Sequence, residues 1–343
     1  MGPDTWIVLY ENKSSDGDLL SPVKRDSLLT YGAFLAVWSL VIGLTVVVLL
    51  LKTAESVWKR LPTVQFLCSQ ALLGSVVVSL TVLTEYKRRW QLDSAWCHVW
   101  LTCQVFLLAL SSWSLLAAAV GHFIALKWTN YCQKRSRWIS VGLSLSSLTV
   151  ATIVTVPPGL LLQREDAVLE EVCAATMTRQ YVLAVSVSTF LLPTSFLVLL
   201  TVTSLLYQIC SSKNNNRVRY VIYKKPDCDK CSNKKIFQES PRKGYTKCPT
   251  VQEAGYNVVH VQPAHVSCSV LCVASLLYVA LWMPFHAANL LVSTCQGFCL
   301  HPTLWSLFIW LGYSSVGVMP VIFLFSREVR AALKMNVCCA CTA

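Results

Sequence analysis

The sequence predicts an all-α membrane protein: a seven-transmembrane helix bundle followed by a short amphipathic eighth helix. Three observations carry this. First, 55% of the 343 residues are hydrophobic and only 13% are charged, with mean hydropathy +0.53. A soluble domain carries about 25% charged residues, so too little polar surface exists here to cover a water-soluble globule. Second, uncharged apolar runs of bilayer-spanning length, about 20 residues, recur seven times. Third, Lys and Arg collect on alternate loops, the signature of a chain oriented across a membrane.

The N-terminal segment, 1–28, is polar and holds Asp4, Glu11, Asp16 and Asp18, with no apolar run of signal-peptide type. The spans of the 29–326 transmembrane domain are expected at Leu29–Leu51, Thr63–Thr84, Cys97–Leu126, Trp138–Leu162, Tyr181–Cys210, Val266–Thr294 and Thr303–Phe325. A β-barrel would need shorter, alternating segments, which are absent. With the N-terminus outside, twenty-one Lys and Arg fall on inner segments and eight on outer ones. That asymmetry places the C-terminus in the cytoplasm and the chain in the plasma membrane as a multi-pass protein, although Arg88-Arg89 runs against it. It also assigns the net charge of +12 to orientation rather than to nucleic-acid binding.

The loop 211–262 is basic, polar and interrupted by Pro226, Pro241 and Pro249, a composition that predicts disorder. After Phe325, residues 327–343 read as an interfacial helix and cytoplasmic tail. Arg327, Arg330 and Lys334 are spaced three and four apart, with Val329 and Leu333 between them. Cys338, Cys339 and Cys341 follow close to the membrane; two readings stand, S-palmitoylation and free cytosolic thiols. Asn12-Lys13-Ser14 matches an N-glycosylation acceptor on the outside.

Two of the sixteen cysteines fall where an oxidising exterior would pair them: Cys97 at the outer end of the third span and Cys173 in the following outer loop. Cys295 and Cys299 form a second outer pair, closable only in a tight turn. Cys228 and Cys231 have CxxC spacing, but zinc needs a second ligand pair and only Cys248 is near; a solvated basic loop is the plainer reading. Pro157-Pro158, Pro193, Pro284 and Pro320 lie inside spans, where each removes a backbone donor. None of the expected spans contains Asp, Glu, Lys or Arg. Intramembrane charges mark ion paths and proton relays, so a pump, ion-coupled transporter or cation channel is not expected. No carboxylate pair, nucleophile–base pair or metal-ligand cluster stands in the spans, and neither an enzyme nor a cofactor is expected.

Seven spans, the Cys97 and Cys173 placement and "ALWMPFH" in the sixth span together resemble the rhodopsin-like (class A) G-protein-coupled receptors. Trp282-Met283-Pro284 resembles the family's Cys-Trp-x-Pro, with Leu281 replacing the Cys. "FLLP", Phe190 to Pro193, resembles Phe-x-x-Pro, and "MPVIF", Met319 to Phe323, resembles Asn-Pro-x-x-Tyr with both polar residues replaced. Departures cluster at polar switch positions. Gly121-His122-Phe123 stands where the family carries Asp-Arg-Tyr, Leu44 where it carries Asn, Gly74 where it carries a sodium-binding Asp, and Thr201 where a Tyr is usual; Leu148 is nearest the expected fourth-span Trp.

The resemblance implies an activation switch at Gly121, His122, Phe123, Trp282, Pro284, Pro320 and Phe323. His122 is not a permanent cation, so it reads either as a weakened coupling switch or as a polar helix end at the headgroup layer. Gly121 is expected to allow close helix approach. The resemblance further implies a ligand pocket lined by Gln104, Leu108, Thr189, Trp282, Phe285, His286, Asn289 and Tyr313. Gln104 stands where amine receptors place an Asp, so a protonated amine would lack its counter-ion and an uncharged or weakly polar ligand is expected. Partners would be that ligand, the bilayer, a heterotrimeric G protein and a homo- or hetero-dimer mate. The first functional reading is a receptor with non-standard activation motifs. The second is a non-signalling seven-helix scaffold or dimerisation partner, favoured by the missing switch residues.

Overall fold

A computed structural model describes residues 7–8, 22–52, 61–87, 94–127, 129–161, 168–169, 172–173, 176–177, 179–214, 268–294 and 302–326. Asn12, Cys228, Cys231, Cys295, Cys299, Cys338, Cys339, Cys341, the tail 327–343 and nearly all of the basic loop lie outside the described residues.

Among the described residues, nine α-helices build seven spans. They are α1 (Pro22–Lys52), α2 (Leu61–Leu72), α3 (Ser79–Lys87), α4 (Ser94–Lys127), α5 (Thr129–Leu161), α6 (Arg179–Ser186), α7 (Leu192–Asn214), α8 (Cys268–Thr294) and α9 (Pro302–Leu324). The second and fifth spans are each two helices joined by a π-helical turn, at Leu73–Val78 and Val187–Leu191. Pro22, Pro62 and Pro302 lie in the first turns of α1, α2 and α9, where a missing N–H costs nothing because that donor has no partner within the helix. The spans run Leu29–Val48, Leu61–Thr84, Trp96–Lys127, Arg137–Val156, Val182–Ile209, Ser269–Leu291 and Leu304–Leu324. Their charged residues are confined to the ends, Lys127 and Arg137, both exposed.

Among the described residues, four two-residue strands add what the helical reading did not anticipate. The strand β1 (Ile7–Val8) pairs antiparallel with β4 (Thr176–Met177), and β2 (Val168–Leu169) pairs with β3 (Val172–Cys173). The N-terminal segment is thereby joined to the loop between the fourth and fifth spans.

The distribution of side chains is inside-out relative to a water-soluble protein. On α5, Ser140, Ser144, Ser147 and Thr155 are buried, whereas Leu145, Leu148 and Ile153 are exposed and Trp138 is 73% exposed. Lipid is the solvent that makes this favourable: the apolar rim needs no cover, and two of the buried hydroxyls bond backwards within their own helix. Thr155 donates to the Ala151 carbonyl at 2.7 Å and Ser147 to the Ser144 carbonyl at 2.9 Å. Leu148 is thus lipid-facing and does not supply the bundle-facing aromatic that the family places in this span. Leu44 is exposed as well.

The chain divides into two units. The larger, 1–208 with 266–343, holds a core of Phe66, Leu115, Phe190, Tyr278, Trp282, Tyr313, Met319 and Phe323. The smaller, 209–265, includes the last residues of α7.

Candidate ligand-binding site

Pro193 opens the site's floor. In an α-helix its N–H would bond the Thr189 carbonyl; proline has none. The π-turn also redirects the Leu192 N–H to the Val187 carbonyl, five residues back, so the Ser188 carbonyl loses its donor as well. Two donors from α4 replace them: Ser112 donates to the Thr189 carbonyl, and Trp113 Nε1 donates to the Ser188 carbonyl at 3.2 Å. Buried backbone acceptors need such partners, and this exchange fixes the third span against the fifth.

Trp282 is positioned by a glycine and a hydrogen-bonded chain. A Cβ at Gly312 would lie 2.6–2.9 Å from the Trp282 indole carbons, so the ring packs where α9 has no side chain. Trp282 Nε1 donates to Ser315 Oγ at 3.0 Å, and Ser315 Oγ donates to Gln70 Oε1 at 3.3 Å. The chain joins the sixth, seventh and second spans through fully buried groups. Below it Tyr278 packs edge-on to Phe66, with centroids 5.9 Å apart, and donates to the Leu108 carbonyl at 3.4 Å.

The residues expected to line the pocket divide into two groups. Trp282, Phe285 and His286 form one aromatic cluster with Phe190 and Trp305. His286 stacks on Phe190 at 4.1 Å with planes 6° apart, and Phe285 meets Trp282 at 5.9 Å and Trp305 at 5.6 Å. Tyr313 packs edge-on to Trp282 at 6.0 Å and accepts a 2.7 Å hydrogen bond from Gln104 Nε2, closing the third span onto the seventh. Asn289 is one turn along α8 from His286. Leu108 and Thr189 contribute differently: both are buried, both offer backbone carbonyls to other helices, and the Thr189 hydroxyl donates to the Val185 carbonyl of its own helix. Thr189 therefore has no hydroxyl proton to spare.

His286 is 2% exposed, and neither Nδ1 nor Nε2 has a hydrogen-bond partner; Asn289 is 6% exposed with Oδ1 likewise unpartnered. Buried polar atoms of this kind are uncommon in folded proteins. Among the described residues no group of three His, Cys, Asp or Glu comes together as a metal site.

Near the C-terminal end of α4, His122 is 9% exposed. Gly121 does not mediate a close helix approach: a Cβ there would meet only Leu143 Cδ1, at an ordinary 3.4 Å. Phe123 is half-buried. The close approach is at Gly74, where a Cβ would collide with Ser39 Oγ and lie 2.7 Å from Ser39 Cβ. Pro284 and Pro320 lie within α8 and α9, and Phe323 packs on Phe66 at 6.1 Å. Cys97 is disulfide-bonded, and Cys173 is in β3.

Gln70, Ser112, Ser315, Gly312 and Tyr278 escaped the sequence reading. Gln70 offered a signal, as one of two amides, with Gln65, within the second span. Gly312 offered none, since its role depends on which ring faces it.

Seven membrane-length helices around an aromatic and uncharged core define the class of the protein as a multi-pass helical membrane protein. The chain matches the 7 transmembrane receptor (rhodopsin family) over residues 44–323 and belongs to that family. It is similar to the 5-hydroxytryptamine receptor 5A of Rattus norvegicus, 25% identical over 349 residues that cover 96% of this chain and 95% of the relative. The 5-hydroxytryptamine receptor 5B of the same organism is 25% identical over 280 residues, covering 78% and 72%. The protein is a multi-pass, G-protein-coupled-receptor-like signalling protein.

Proposed function

We propose that this receptor is activated by an uncharged ligand held among Gln104, Trp282, Phe285, His286, Asn289 and Tyr313, and that it passes the signal to a heterotrimeric G protein. The carrying observation is the Gln104–Tyr313 hydrogen bond of 2.7 Å. It fills with a neutral amide the position where amine receptors hold a carboxylate, and the described spans hold no Asp or Glu. A buried ammonium without a counter-charge is strongly disfavoured, so the relatives' ligand, 5-hydroxytryptamine by their name, is not expected to bind here. The Lys and Arg asymmetry supports an extracellular N-terminus and cytoplasmic C-terminus in the plasma membrane. Cys173 is the proposed disulfide partner of Cys97, Asn12 carries the proposed glycan, and Cys338, Cys339 and Cys341 are proposed lipidation sites.

Nucleotide exchange on G proteins in membranes holding wild type, Gln104→Asp and His122→Arg tests this. Wild type is expected to ignore 5-hydroxytryptamine, Gln104→Asp to gain a response, and His122→Arg to raise exchange by restoring a fixed cation at the inner end of α4. A saturable wild-type response to 5-hydroxytryptamine would overturn the neutral-ligand reading. Absence of exchange in all three proteins, each shown at the cell surface, would favour the second reading, a non-signalling seven-helix scaffold or dimer partner. The replaced Asp-Arg-Tyr residues, Gly121-His122-Phe123, are what support that alternative.

A further inference from the structure

We propose that the N-terminal segment is a strap across the outer end of the bundle, held by strand pairing with the loop before the fifth span, and that its release controls access from water to the bundle interior. The inference goes beyond the ligand and the coupling read above, and takes from that reading only the orientation that makes this end the outer one. The sequence supplies the strand. Thr5-Trp6-Ile7-Val8-Leu9-Tyr10 is a β-prone run between Asp4 and Glu11, inside an otherwise polar segment. Such a run presents bare N–H and C=O groups to water and pairs with an edge that is offered. The edge is β4: Ile7 pairs with Met177 and Val8 with Thr176, antiparallel. Charge does not bring the two segments together, since Asp4 and Glu11 flank one and Glu170 and Glu171 precede the other. Backbone pairing does.

Topology turns that pairing into a strap. The helix α1 begins at Pro22 and packs on α2, α3 and α9, in the second and seventh spans. The strand β4 ends at Met177, and α6 begins at Arg179 and packs on α8. As the first and fifth of seven spans, both enter the membrane from the same face, but on different sides of the bundle. The N-terminal chain therefore runs from one side to the other across the end that carries Cys97 and β3. Thirteen residues, 9–21, make the connection. Extended, they reach about 45 Å, and helices packed about 8–10 Å apart put the far side of the bundle within that reach. A two-residue ladder carries about two hydrogen bonds, and an isolated two-stranded pairing is marginal in water. At ordinary net strength those bonds bias an open–closed equilibrium by about 10- to 100-fold. That bias keeps the strap closed most of the time without sealing it, which is the property of a gate.

The test uses the full-length receptor purified into lipid nanodiscs, which expose both faces, so a reversed orientation cannot mimic closure. Cysteine pairs first test the register. Partners in an antiparallel ladder have Cα atoms about 4.5–5.5 Å apart, within disulfide range. An offset of one residue puts the side chains on opposite faces. Ile7→Cys with Met177→Cys is therefore expected to oxidise to a disulfide at least about 10-fold faster than Ile7→Cys with Thr176→Cys. Equal rates overturn the pairing. Access is then read at Gln104→Cys, two turns along α4 from Cys97. Its readout is the rate of modification by the cationic thiol reagent methanethiosulfonate ethyltrimethylammonium, resolved by peptide mass spectrometry. Tyr313→Cys, on the other side of the Gln104–Tyr313 hydrogen bond, is a second reporter should Gln104→Cys fold poorly. The receptor locked by the Ile7→Cys/Met177→Cys disulfide is expected to react at least about 10-fold more slowly than one carrying Ile7→Pro and Val8→Pro, which removes the backbone donors of β1. Equal rates in the locked and the proline receptors overturn the strap, and so does an absence of modification in both at both reporters. Nucleotide exchange is measured in parallel. Slow modification when locked and fast modification with proline, without exchange in any form, would keep the strap and remove the signalling reading. Exchange with equal modification rates would do the reverse.

Discussion

Trp282 shows how a single absent side chain sets a site. Its indole occupies the space beside Gly312, and its N–H is committed to Ser315. Alanine at position 312 would bring a methyl to 2.6–2.9 Å from three ring carbons, closer than real contacts permit. The ring cannot swing freely, since Tyr313 at 6.0 Å and Phe285 at 5.9 Å flank it. Overpacking of this kind costs about 1–3 kcal/mol. Gly312→Ala is therefore expected to lower the thermal midpoint of the purified receptor. Gly121→Ala, which meets only Leu143 at 3.4 Å, should leave the midpoint within about 0.5 kcal/mol of wild type, the usual range for substitutions that disturb no packing. Equal effects at the two glycines would show that the seat is not specific.

At the scale of elements, the fifth span is an accounting problem in backbone acceptors. Pro193 and the π-turn between them strand the Ser188 and Thr189 carbonyls, and α4 supplies Trp113 and Ser112 as donors. Interhelical side-chain hydrogen bonds in membranes average about 0.6 kcal/mol. An orphaned buried carbonyl costs more, about 1–3 kcal/mol, and the orphan term dominates here because Ser112 is fully buried. Ser112→Ala is expected to cost about 1–2 kcal/mol in wild type. In a Pro193→Ala background, where the backbone N–H returns, it should cost under about 0.5 kcal/mol. Equal costs in both backgrounds would separate Ser112 from the proline. The seven spans themselves were legible because run length and apolarity suffice to define a bilayer-crossing helix. The prolines were legible too, as single letters with fixed chemistry. Their consequence was not, because the donor that answers Pro193 stands 81 positions earlier in the chain, on another helix. The paired strands β1 and β4 escaped for the same reason: two residues on each side give no period to read. Of the expected pocket, Trp282, Phe285 and His286 of α8 were named through the resemblance to the receptor family, and their rings do meet; the self-satisfied Thr189 was not legible, since its hydroxyl looks available until its own turn is drawn.

For the whole molecule, the decisive property is neutrality. A monovalent cation bound within the bilayer needs an anionic partner, and charges there are costly without one. In this bundle the charged residues of the described spans are at the ends. The family's carboxylate position is Gly74, and the space a carboxylate would use is already filled. A Cβ at Gly74 would collide with Ser39 Oγ and lie 3.2 Å from Val316 Cγ2, while Ser39 itself donates to the Ala36 carbonyl at 3.0 Å. Nearby oxygens are committed in pairs: Ser69 with Ser111 at 2.8 Å, and Gln70 Oε1 with Ser315. The first, second and seventh spans close on each other where an ion would otherwise stand. Replacing sodium by potassium or N-methylglucamine at constant ionic strength is therefore expected to leave the thermal midpoint of the purified receptor unchanged. Introducing the charge should not create an ion site either. Gly74→Asp forces apart Ser39 and Val316, and its expected outcome is loss of folded receptor in every salt. A sodium-specific stabilisation of wild type, abolished by Ser111→Ala, would show that neutral oxygens alone hold a cation in this bundle and would sink the argument.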